Sequence, residues 1–475
     1  MHQSIVAAAF FAVASCCAYG AQTEPEPRLT FGVVSDIHFS KPGDENYFVR
    51  ALEYFRDHGA DGVLCAGDLT ESATVEQLER VAKCWFQVFP DGRAPDGRKV
   101  EQLFIYGNHD SDAWKWGGNE RTRQIRETPE LSAKYISVTP ERRRETWEKI
   151  FREPYVPVWE KTVKGYVFVG AHCGDGVLGD YINKNGERIA ASGKPFFCVQ
   201  HAHLKGTTFG DWGWGHDSGW AAKALSKYPN AVAFAGHSHY SLTDERSIWQ
   251  GAFTSLNAAS LRYASHEYAM RDNGARAGGY TRWLDWRPRA GTSGFNRDLG
   301  QQGMLVTVTD GEIRFKRLEF HFGETLGPDW VVPLGKDAER PYDYATRKAA
   351  RKAPEFAEDA VVKVEYKPGR GKDNDKGTVK VSFPSAQTVE GSRVFEYEAT
   401  AIIAEDDIEI PLETHRFLAN DMILAPSRAG KATNHIEFVC SRLPPKAHVR
   451  FAVRPCECFG NCGRWITSDG SYVTP

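Results

Sequence analysis

The sequence predicts an α/β domain followed by a smaller all-β domain. From residue 29 onward, short apolar runs alternate with amphipathic stretches of helical length, a pattern typical of strands connected by helices. From residue 361 onward, apolar residues recur at every second position between turn-rich spacers, which indicates an antiparallel β-sandwich. The first domain is therefore α/β, or α+β in some classifications, and the second is all-β.

The elements of the first domain follow from this alternation. The apolar run at residues 29–35 predicts a strand, and residues 47–58 predict the helix that follows it. Residues 304–308 and 312–320 predict two strands paired around the turn at Asp310-Gly311. The remaining predicted elements are a strand at residues 62–66, a helix at 75–89, and strands at 100–106, 166–170, 196–200 and 232–235.

The predicted domain boundaries are residues 28–332 for the first domain, 333–354 for a charged, Pro-containing linker and 355–475 for the sandwich. Residues 261–302 are rich in Gly, Arg and aromatic residues without periodicity, so we expect an insertion that packs against the first domain. Strands of the sandwich are predicted at residues 361–366, 378–383, 394–403, 435–440 and 448–453.

The N-terminus predicts export. An apolar stretch at residues 5–14 is too short to span a bilayer and is followed by small residues, as in a secretory signal of residues 1–21, although only His2 stands where Lys or Arg is usual. Val13-Ala14-Ser15-Cys16 also resembles a bacterial lipobox, which would make Cys16 a lipid anchor. We therefore expect a periplasmic, secreted or outer-surface lipoprotein; the alternative is a disordered cytoplasmic leader.

The amino-acid composition argues against some classes of protein and of binding partner. The chain has 475 residues with 59 Lys and Arg against 62 Asp and Glu, a formal net charge of -3. This balance argues against a strongly basic nucleic-acid-binding protein and against a disordered acidic chain. No internal run is apolar and long enough to predict a transmembrane span.

Cysteines concentrate near the C-terminus. In an exported protein they favour one or two disulfides, with a zinc knot as the alternative, and their spacing leaves the pairing open. The four late cysteines are Cys440, Cys456, Cys458 and Cys462.

Polar clusters directly follow five predicted strands of the first domain. Because ligands of open α/β sheets bind outside the carboxyl ends of the strands, we expect these clusters to converge on one crevice. The clusters are Asp36-Ile-His38, Gly67-Asp68, Gly107-Asn-His-Asp110, His201-Ala-His203 and Gly236-His-Ser-His239.

The residue types in these clusters indicate metal binding. Carboxylates, imidazoles and an amide oxygen, without nearby thiolates, suit divalent Zn, Mn or Fe. The clusters contain too many ligands for one tetrahedral ion. A bridging carboxylate would divide them into two sites about 3.5–4 Å apart, an arrangement that suits displacement at phosphorus.

In order and spacing, the five clusters resemble the motifs of the calcineurin-like metallophosphoesterase family. The resemblance covers residues 29–320 and implies a four-layer αββα fold with two packed sheets. The C-terminal stretch resembles, less specifically, the fibronectin-like accessory domain found behind such catalytic domains. The ligand sets implied by the family are Asp36, His38, Asp68 and His239 for one metal, and Asp68, Asn108, His201 and His237 for the second, with Asp68 bridging.

The resemblance also implies the reaction. A metal-bridging hydroxide would attack a phosphomonoester or phosphodiester in line, His109 would protonate the leaving oxygen as general acid, and Asp110 would orient His109. An imidazole with a pKa near 6.5 is suited to that proton transfer. The metal ligands indicate the type of reaction but do not identify the substrate.

Aromatic residues near the clusters are candidate substrate contacts. Trp114 and Trp116 follow the third cluster, and Trp212 and Trp214 lie between the fourth and fifth. They would stack on a base or a sugar of the substrate, and ordinary packing is the alternative. His203 is a further candidate contact, which we interpret, like His172, as supporting the site and not as a metal ligand.

Three other classes of protein share part of this pattern. A metallo-β-lactamase-like hydrolase requires His-x-His-x-Asp-His, whereas His203 is followed by Leu204 and Lys205. An exported nuclease is a second alternative, although this near-neutral chain shows no evident track of positive charge for phosphates. A catalytically silent metal-binding protein, attached to a surface by its sandwich domain, is the third alternative, and the presence of His109 argues against it.

Overall fold

The computed structural model describes residues 27–209, 215–265, 293, 296–335, 337–369, 376–387, 393–405 and 408–474. The predicted leader, Cys16, Trp212, Trp214 and most of the predicted insertion lie outside the described residues.

Strands and helices alternate through the first part of the chain, as predicted. The strands before residue 334 are β1 (Leu29–Val34), β2 (Gly62–Cys65), β3 (Glu101–Phe104), β4 (Val158–Val163), β5 (Tyr166–Ala171), β6 (Phe196–Val199), β7 (Ala231–Ala235), β8 (Ile248–Gln250), β9 (Thr254–Asn257), β10 (Gln302–Val308), β11 (Glu312–Glu319), β12 (Glu324–Thr325) and β13 (Trp330–Pro333). The helices are α1 (Glu45–Asp57), α2 (Val75–Val88), α3 (Asn108–Asp112), α4 (Asn119–Glu127), α5 (Pro129–Ser132), α6 (Pro140–Phe151), α7 (Leu178–Ala190), α8 (Trp220–Leu225) and, after β13, α9 (Tyr344–Ala350).

These strands form two sheets. The first has the order β12-β11-β10-β1-β2-β3, with β13 also paired to β11, and the second has the order β4-β5-β6-β7-β9-β8. Strands β1, β2 and β3 are parallel to one another, as are β5, β6, β7 and β9. Their carboxyl ends therefore meet along one edge of each sheet, where the polar clusters begin.

The two sheets pack face to face through aromatic side chains. Phe31 of β1 makes edge contacts with Phe168, Phe197 and Phe234 of the second sheet, at ring-centroid distances of 5.1, 4.9 and 6.1 Å. Burial of each such side chain contributes about 1.5–3 kcal/mol. This contact holds the carboxyl ends of the two sheets side by side.

Helices cover both outer faces. On the first sheet, α1 buries Phe48, Leu52 and Phe55 along one side, a spacing that places them on a single helical face. On the second, α7 and α8 pack through residues such as Ile182 and Leu225. The four-layer αββα arrangement expected from the family resemblance is confirmed.

The C-terminal region is all-β, also as predicted. Two antiparallel sheets, ordered β14-β15-β18 and β17-β16-β19-β20 with β21 on β19, enclose a common core that includes Phe383, Tyr397 and Phe451. The fibronectin-like resemblance stays a prediction. The strands are β14 (Lys363–Lys367), β15 (Thr378–Pro384), β16 (Glu396–Glu405), β17 (Ile408–Leu418), β18 (Thr433–Val439), β19 (His448–Cys456), β20 (Ile466–Thr467) and β21 (Tyr472–Val473).

The segment predicted as a linker contains structure. Helix α9 buries Tyr344 and Arg347, and the Tyr344 hydroxyl accepts a 3.0 Å hydrogen bond from the backbone N–H of Phe209. Residues that follow the linker also contact the first domain, because Arg393 donates to the carbonyl of Leu326 at 3.4 Å. The domain boundaries themselves stay predictions.

One disulfide, Cys456–Cys462, closes the loop after β19. Cys458, between them in sequence, is a buried thiol, and Cys440 is buried in the sandwich core. The pairing that spacing left open is therefore a local one, and Cys456 and Cys462 do not serve as zinc-knot ligands. Within the described ranges, none of the helices combines the length and apolar character needed to cross a bilayer.

Candidate metal centre

Seven polar side chains from both sheets converge on one crevice. The first sheet contributes the residues that follow β1, β2 and β3, and the second sheet contributes those that follow β6 and β7. These residues are Asp36, His38, Asp68 and Asn108 from the first sheet and His201, His237 and His239 from the second.

Four of them form a buried cluster with the composition predicted for the first metal. The donor atoms of Asp36, His38, Asp68 and His239 all lie within 4.8 Å of one another. His239 Nε2 is 3.1 Å from both Asp36 Oδ1 and His38 Nε2, and His38 Nε2 is 3.5 Å from Asp68 Oδ2. Two carboxylates and two imidazoles thus converge on one point.

A second cluster shares Asp68 with the first. Donor atoms of Asp68, His201 and His237 lie within 4.8 Å of one another. His201 Nε2 is 3.1 Å from Asp68 Oδ2 and 2.9 Å from the Asn108 carbonyl oxygen, Oδ1. Asp68 therefore stands where a bridging ligand is required.

The histidine rings are oriented as metal ligands are. The Nε2 atoms of three rings face the carboxylates, while their Nδ1 atoms contact acceptors outside the cluster. His38 Nδ1 contacts Glu71 Oε2 at 2.8 Å, His201 Nδ1 contacts the Ala66 carbonyl at 2.7 Å, and His239 Nδ1 contacts the Tyr263 carbonyl at 3.1 Å. Metal-bound histidines usually donate their second N–H in this way, so the residues present fit two divalent ions.

Backbone strain is concentrated at the same positions. Asp36, His38, Asp68, His237 and His239 have φ values of 51°, 49°, 51°, 72° and 58°. Residues with side chains adopt this left-handed region at a cost of about 1–2 kcal/mol each. Five such residues in one crevice indicate that the side-chain directions matter more than local stability.

Glycines within the motifs allow the strand ends to approach each other. Gly67 has a φ of +98°, and a Cβ there would lie 2.6 Å from His201 Nδ1 and 2.8 Å from the Cα of Gly107. A Cβ at Gly107 would lie 2.1 Å from Asp68 Oδ1. Larger side chains at either position would displace the predicted ligands.

The electrostatics of the crevice favour a cation. Burial raises the pKa of Asp36, but the neighbouring His239 and His38 outweigh burial and hold that pKa well below its usual value. Burial lowers the pKa of His201, yet Asp68, Asp36 and the hydrogen bond to the Ala66 carbonyl together raise it to about 9. Two buried carboxylates thus create a negative potential that attracts positive charge.

His109 lies beside this cluster. Its backbone N–H donates to Asp68 Oδ1 at 2.8 Å, and its Nδ1 donates to the Glu71 carbonyl at 2.8 Å. This tautomer leaves Nε2 for a ligand, and the side chain is 20% exposed. Burial lowers the pKa of His109, with Asp68 acting in the opposite direction.

The expected role of Asp110 in orienting the His109 ring is corrected by the structure. Its buried carboxylate accepts hydrogen bonds from the backbone N–H groups of Gly107, Leu69 and Thr70, and from the Thr70 hydroxyl. Burial and the nearby Asp68 raise its pKa to about 6. Asp110 therefore joins the loops after β2 and β3, and the Glu71 carbonyl contacts the His109 ring.

Two predicted substrate contacts are buried. Trp114 is 3% exposed and packs against Ala73 and Ile125, so the prediction that it lines the cleft is wrong. His203 is 1% exposed, with Nδ1 3.0 Å from Thr208 Oγ1 and Nε2 2.5 Å from Ser238 Oγ. Both ring nitrogens are thus occupied within the protein, so the prediction that His203 contacts the substrate is wrong; the residue packs against the loop between His237 and His239.

Sequence reasoning missed Glu71 and Tyr263. Glu71 contacts the predicted ligand His38, and the ring of Tyr263 lies 4.3 Å from that of His239. Glu71 could have been found from the sequence, because it lies three residues after Asp68. Tyr263 gave no signal, because it follows no predicted strand.

A cavity of about 670 Å³ lies at the other end of the second sheet. It is lined by residues that precede β6 and β7, including Lys194 and Asn230. None of the predicted ligands lines it. The chemistry-bearing residues therefore lie at the carboxyl ends of the strands, as expected for an α/β sheet.

Comparison with known families agrees with this geometry. Residues 29–241 match the family model described as calcineurin-like phosphoesterase. This part of the chain is a calcineurin-like phosphoesterase domain. The match ends two residues after His239, so it includes every predicted ligand of the phosphoesterase domain, whereas strands β8–β13 lie beyond it.

Solved structures give weaker similarities. A dimetal phosphatase from Danio rerio has 9% identity and a TM-score of 0.37, covering 65% of this chain and 100% of its own. GAP50, the anchor in the inner membrane complex of Plasmodium, has 10% identity and a TM-score of 0.34, covering 66% and 90%. Neither similarity is close enough to transfer a function. No curated protein matches the chain.

Proposed function

We propose that the protein hydrolyses a phosphomonoester or phosphodiester with the help of two divalent metal ions, Mn, Fe or Zn. The observation that carries the proposal is the pair of buried clusters that share Asp68. A family of phosphoesterases that matches residues 29–241 supports the same reaction class.

The ligand set divides between the two ions. Such ions polarise phosphoryl oxygens and lower the pKa of bound water towards about 7, which supplies a nucleophile at neutral pH. Asp68 would contribute to both sites. Asp36, His38 and His239 would complete the first site, and Asn108, His201 and His237 would complete the second.

His109 is the proposed general acid. Its Nδ1–H is bonded to the Glu71 carbonyl, so Nε2, protonated in the imidazolium form, would give its proton to the leaving oxygen and leave a neutral ring. Because its backbone N–H is bonded to Asp68, the ring is held at a fixed position relative to the shared carboxylate. Proton transfer from a positioned histidine contributes about 10²-fold to 10⁴-fold in rate.

Replacement of the shared carboxylate tests the proposal. Asp68→Asn should retain the fold, lose at least one of two bound metal ions, and lower kcat/KM for aryl phosphate mono- and diesters by about 10³-fold or more. Asp310→Asn, in an exposed turn, is the matched control and should behave like the wild type.

The assays should contain Mn, Zn or Fe, and metal content should be measured alongside turnover. A wild-type protein that turns over none of these esters with any of the metals would refute the enzymatic proposal. If that inactive protein still bound two ions, the silent metal-binding alternative would take its place.

We also propose that the protein is exported. The disulfide Cys456–Cys462 supports an oxidising compartment, where such bonds persist. The mass of the mature protein from its native host tests this, since removal of residues 1–21, or a lipidated Cys16, is expected. An intact Met1 would contradict export through a cleaved signal.

A further inference from the structure

One aromatic side chain beside the proposed acid is exposed to solvent. Trp116 is 55% exposed, and its ring stands perpendicular to the His109 ring, with an interplanar angle of 90° and centroids 4.6 Å apart. An exposed indole ring beside the proposed acid offers an apolar face on which a ligand can pack. Trp116 therefore differs from Trp114, which is buried two residues earlier.

Helical periodicity explains why the two tryptophans point in different directions. Helix α3 continues into a 3₁₀ turn, Ala113–Lys115, so the chain is helical from Asn108 almost to Trp116. Positions seven apart in a helix face the same side, which places Trp116 over His109. Trp114, five positions after His109, faces the interior and packs against Ile125.

The position of the acid defines what Trp116 would contact. A general acid gives its proton to the oxygen of the departing group, so that group must lie within hydrogen-bond reach of His109 Nε2. The organic part attached to that oxygen then extends over the neighbouring surface. On the side where Trp116 packs against His109, that surface is the exposed indole ring.

We propose that Trp116 is a specificity-determining residue that stacks on a planar, ring-containing leaving group of the phosphoester. This inference rests on the proposed function and deepens it by naming a substrate class. A planar ring covers the apolar face of the indole, whereas a short alkyl group leaves most of it in water. Stacking of this kind corresponds to about a 5-fold to 150-fold preference.

A comparison of leaving groups tests the inference. The Trp116→Ala variant should lower kcat/KM for 1-naphthyl phosphate by about 10-fold or more relative to propyl phosphate. Trp116→Phe should retain most of the preference, because phenylalanine keeps an aromatic face. Trp465→Ala, which removes a 39% exposed tryptophan from the C-terminal region, is the control and should change neither value.

Diesters separate the leaving group from the group that stays on phosphorus. Methyl p-nitrophenyl phosphate and bis(p-nitrophenyl) phosphate share a leaving group, so Trp116→Ala should lower kcat/KM for both by the same factor. A clearly larger loss for the second ester would place the ring on the retained group and overturn the proposal. Equal losses for naphthyl and propyl phosphate would overturn it as well.

A binding measurement removes the dependence on turnover. Calorimetric titration of the metal-loaded protein with naphthyl and propyl phosphonates should show a preference for the naphthyl compound that Trp116→Ala abolishes. If the wild type hydrolyses no ester, the proposed function fails. If it hydrolyses esters and binds phosphonates with a selectivity that Trp116→Ala leaves intact, only this inference fails.

Discussion

Glu71 shows how a residue outside the predicted ligand set supports the candidate metal centre. Its carboxylate lies 2.8 Å from His38 Nδ1, and its carbonyl accepts the N–H of His109. Burial raises the pKa of Glu71, but the neighbouring His38 and His109 outweigh burial and lower it, so the group is ionised at neutral pH. An ionised carboxylate that accepts the N–H of a metal-binding imidazole fixes the ring orientation. It also makes the other ring nitrogen a stronger ligand for the metal.

Glu71→Gln is expected to weaken binding of the first metal by about 10-fold to 100-fold, because the amide keeps the shape but loses the charge that supports His38. Calorimetric titration with Mn or Zn measures this. Glu79→Gln, on the exposed side of α2, is the control for loss of one negative charge. Unchanged affinity in the Glu71 variant would show that the contact is only structural.

At the scale of single residues, sequence reasoning predicted the ligand types better than it predicted side-chain direction. His201 and His237 could be named because each follows an apolar strand within a short motif. Trp114 and Trp116 could not be separated, since their directions depend on the helix that begins at Asn108. Asp110 was assigned to His109, its sequence neighbour, whereas its hydrogen-bond partners Leu69 and Thr70 lie on another loop.

At the scale of elements, the ends of parallel strands define the site. The loops after β1 and β2 continue to pair beyond the strands, since the N–H of Asp36 donates to the Gly67 carbonyl and that of His38 to the Asp68 carbonyl, both at 3.0 Å. The two loops therefore stay side by side while their residues take left-handed φ values. Close approach of glycines is what makes this arrangement possible.

Gly67→Ala is expected to destabilise the fold by several kcal/mol and to abolish metal binding. Part of the loss, about 1–2 kcal/mol, comes from the positive φ, and the rest comes from the close approach to His201 and Gly107. Gly59→Ala isolates the first part, because Gly59 has a φ of +74° with nothing within 4 Å of a Cβ. Urea unfolding of both variants, with and without metal, measures the difference; equal losses would contradict the steric explanation.

Strand β17 illustrates the limit of pattern reasoning for an element. It is one of the longest strands, Ile408–Leu418, yet no strand was predicted there, and Pro411 lies within it. The structure accommodates that proline with a register shift between Ala401 and Ile402 on the paired strand. A proline at a bulge removes little hydrogen bonding from the sheet, and the bulge can be recognised only from the pairing of the two strands.

At the scale of the whole molecule, a largely buried carboxylate joins the first domain to α9. Glu245 Oε1 is 2.7 Å from Arg317, and Oε2 contacts Arg347, Arg351 and the indole N–H of Trp330. Burial raises the pKa of Glu245, but the three arginines outweigh burial and lower it to about 2. The residue is 14% exposed, so solvent screens these pairs only in part.

This pKa predicts how stability responds to acid. A carboxyl group with a usual pKa of 4.5 and a folded value of about 2 stabilises the fold above pH 4.5. The stabilisation is lost as pH falls from 4.5 to 2, and amounts to about 3 kcal/mol. Glu245→Gln should therefore lower the free energy of unfolding at pH 7 and flatten its dependence below pH 4.5, as measured by urea unfolding.

Glu365→Gln, on an exposed position of β14, is the control and should leave the acid dependence unchanged. If the Glu245 and Glu365 variants lost stability equally between pH 4.5 and pH 2, the buried network would not be the cause. The same experiment reports on the junction, because Arg347 and Arg351 belong to the segment predicted as a linker.

The sequence by itself determined the α/β and all-β division and the position of the candidate metal ligands directly after the strands. Both depend on local patterns: the period of apolar residues, and short polar motifs directly after strands. Only the tertiary structure decided that Glu71 contacts His38, that Trp116 and not Trp114 is exposed beside His109, and that Glu245 joins β11 to α9. Those relations join residues far apart in the chain, so they depend on how strands and helices pack, which no local pattern records.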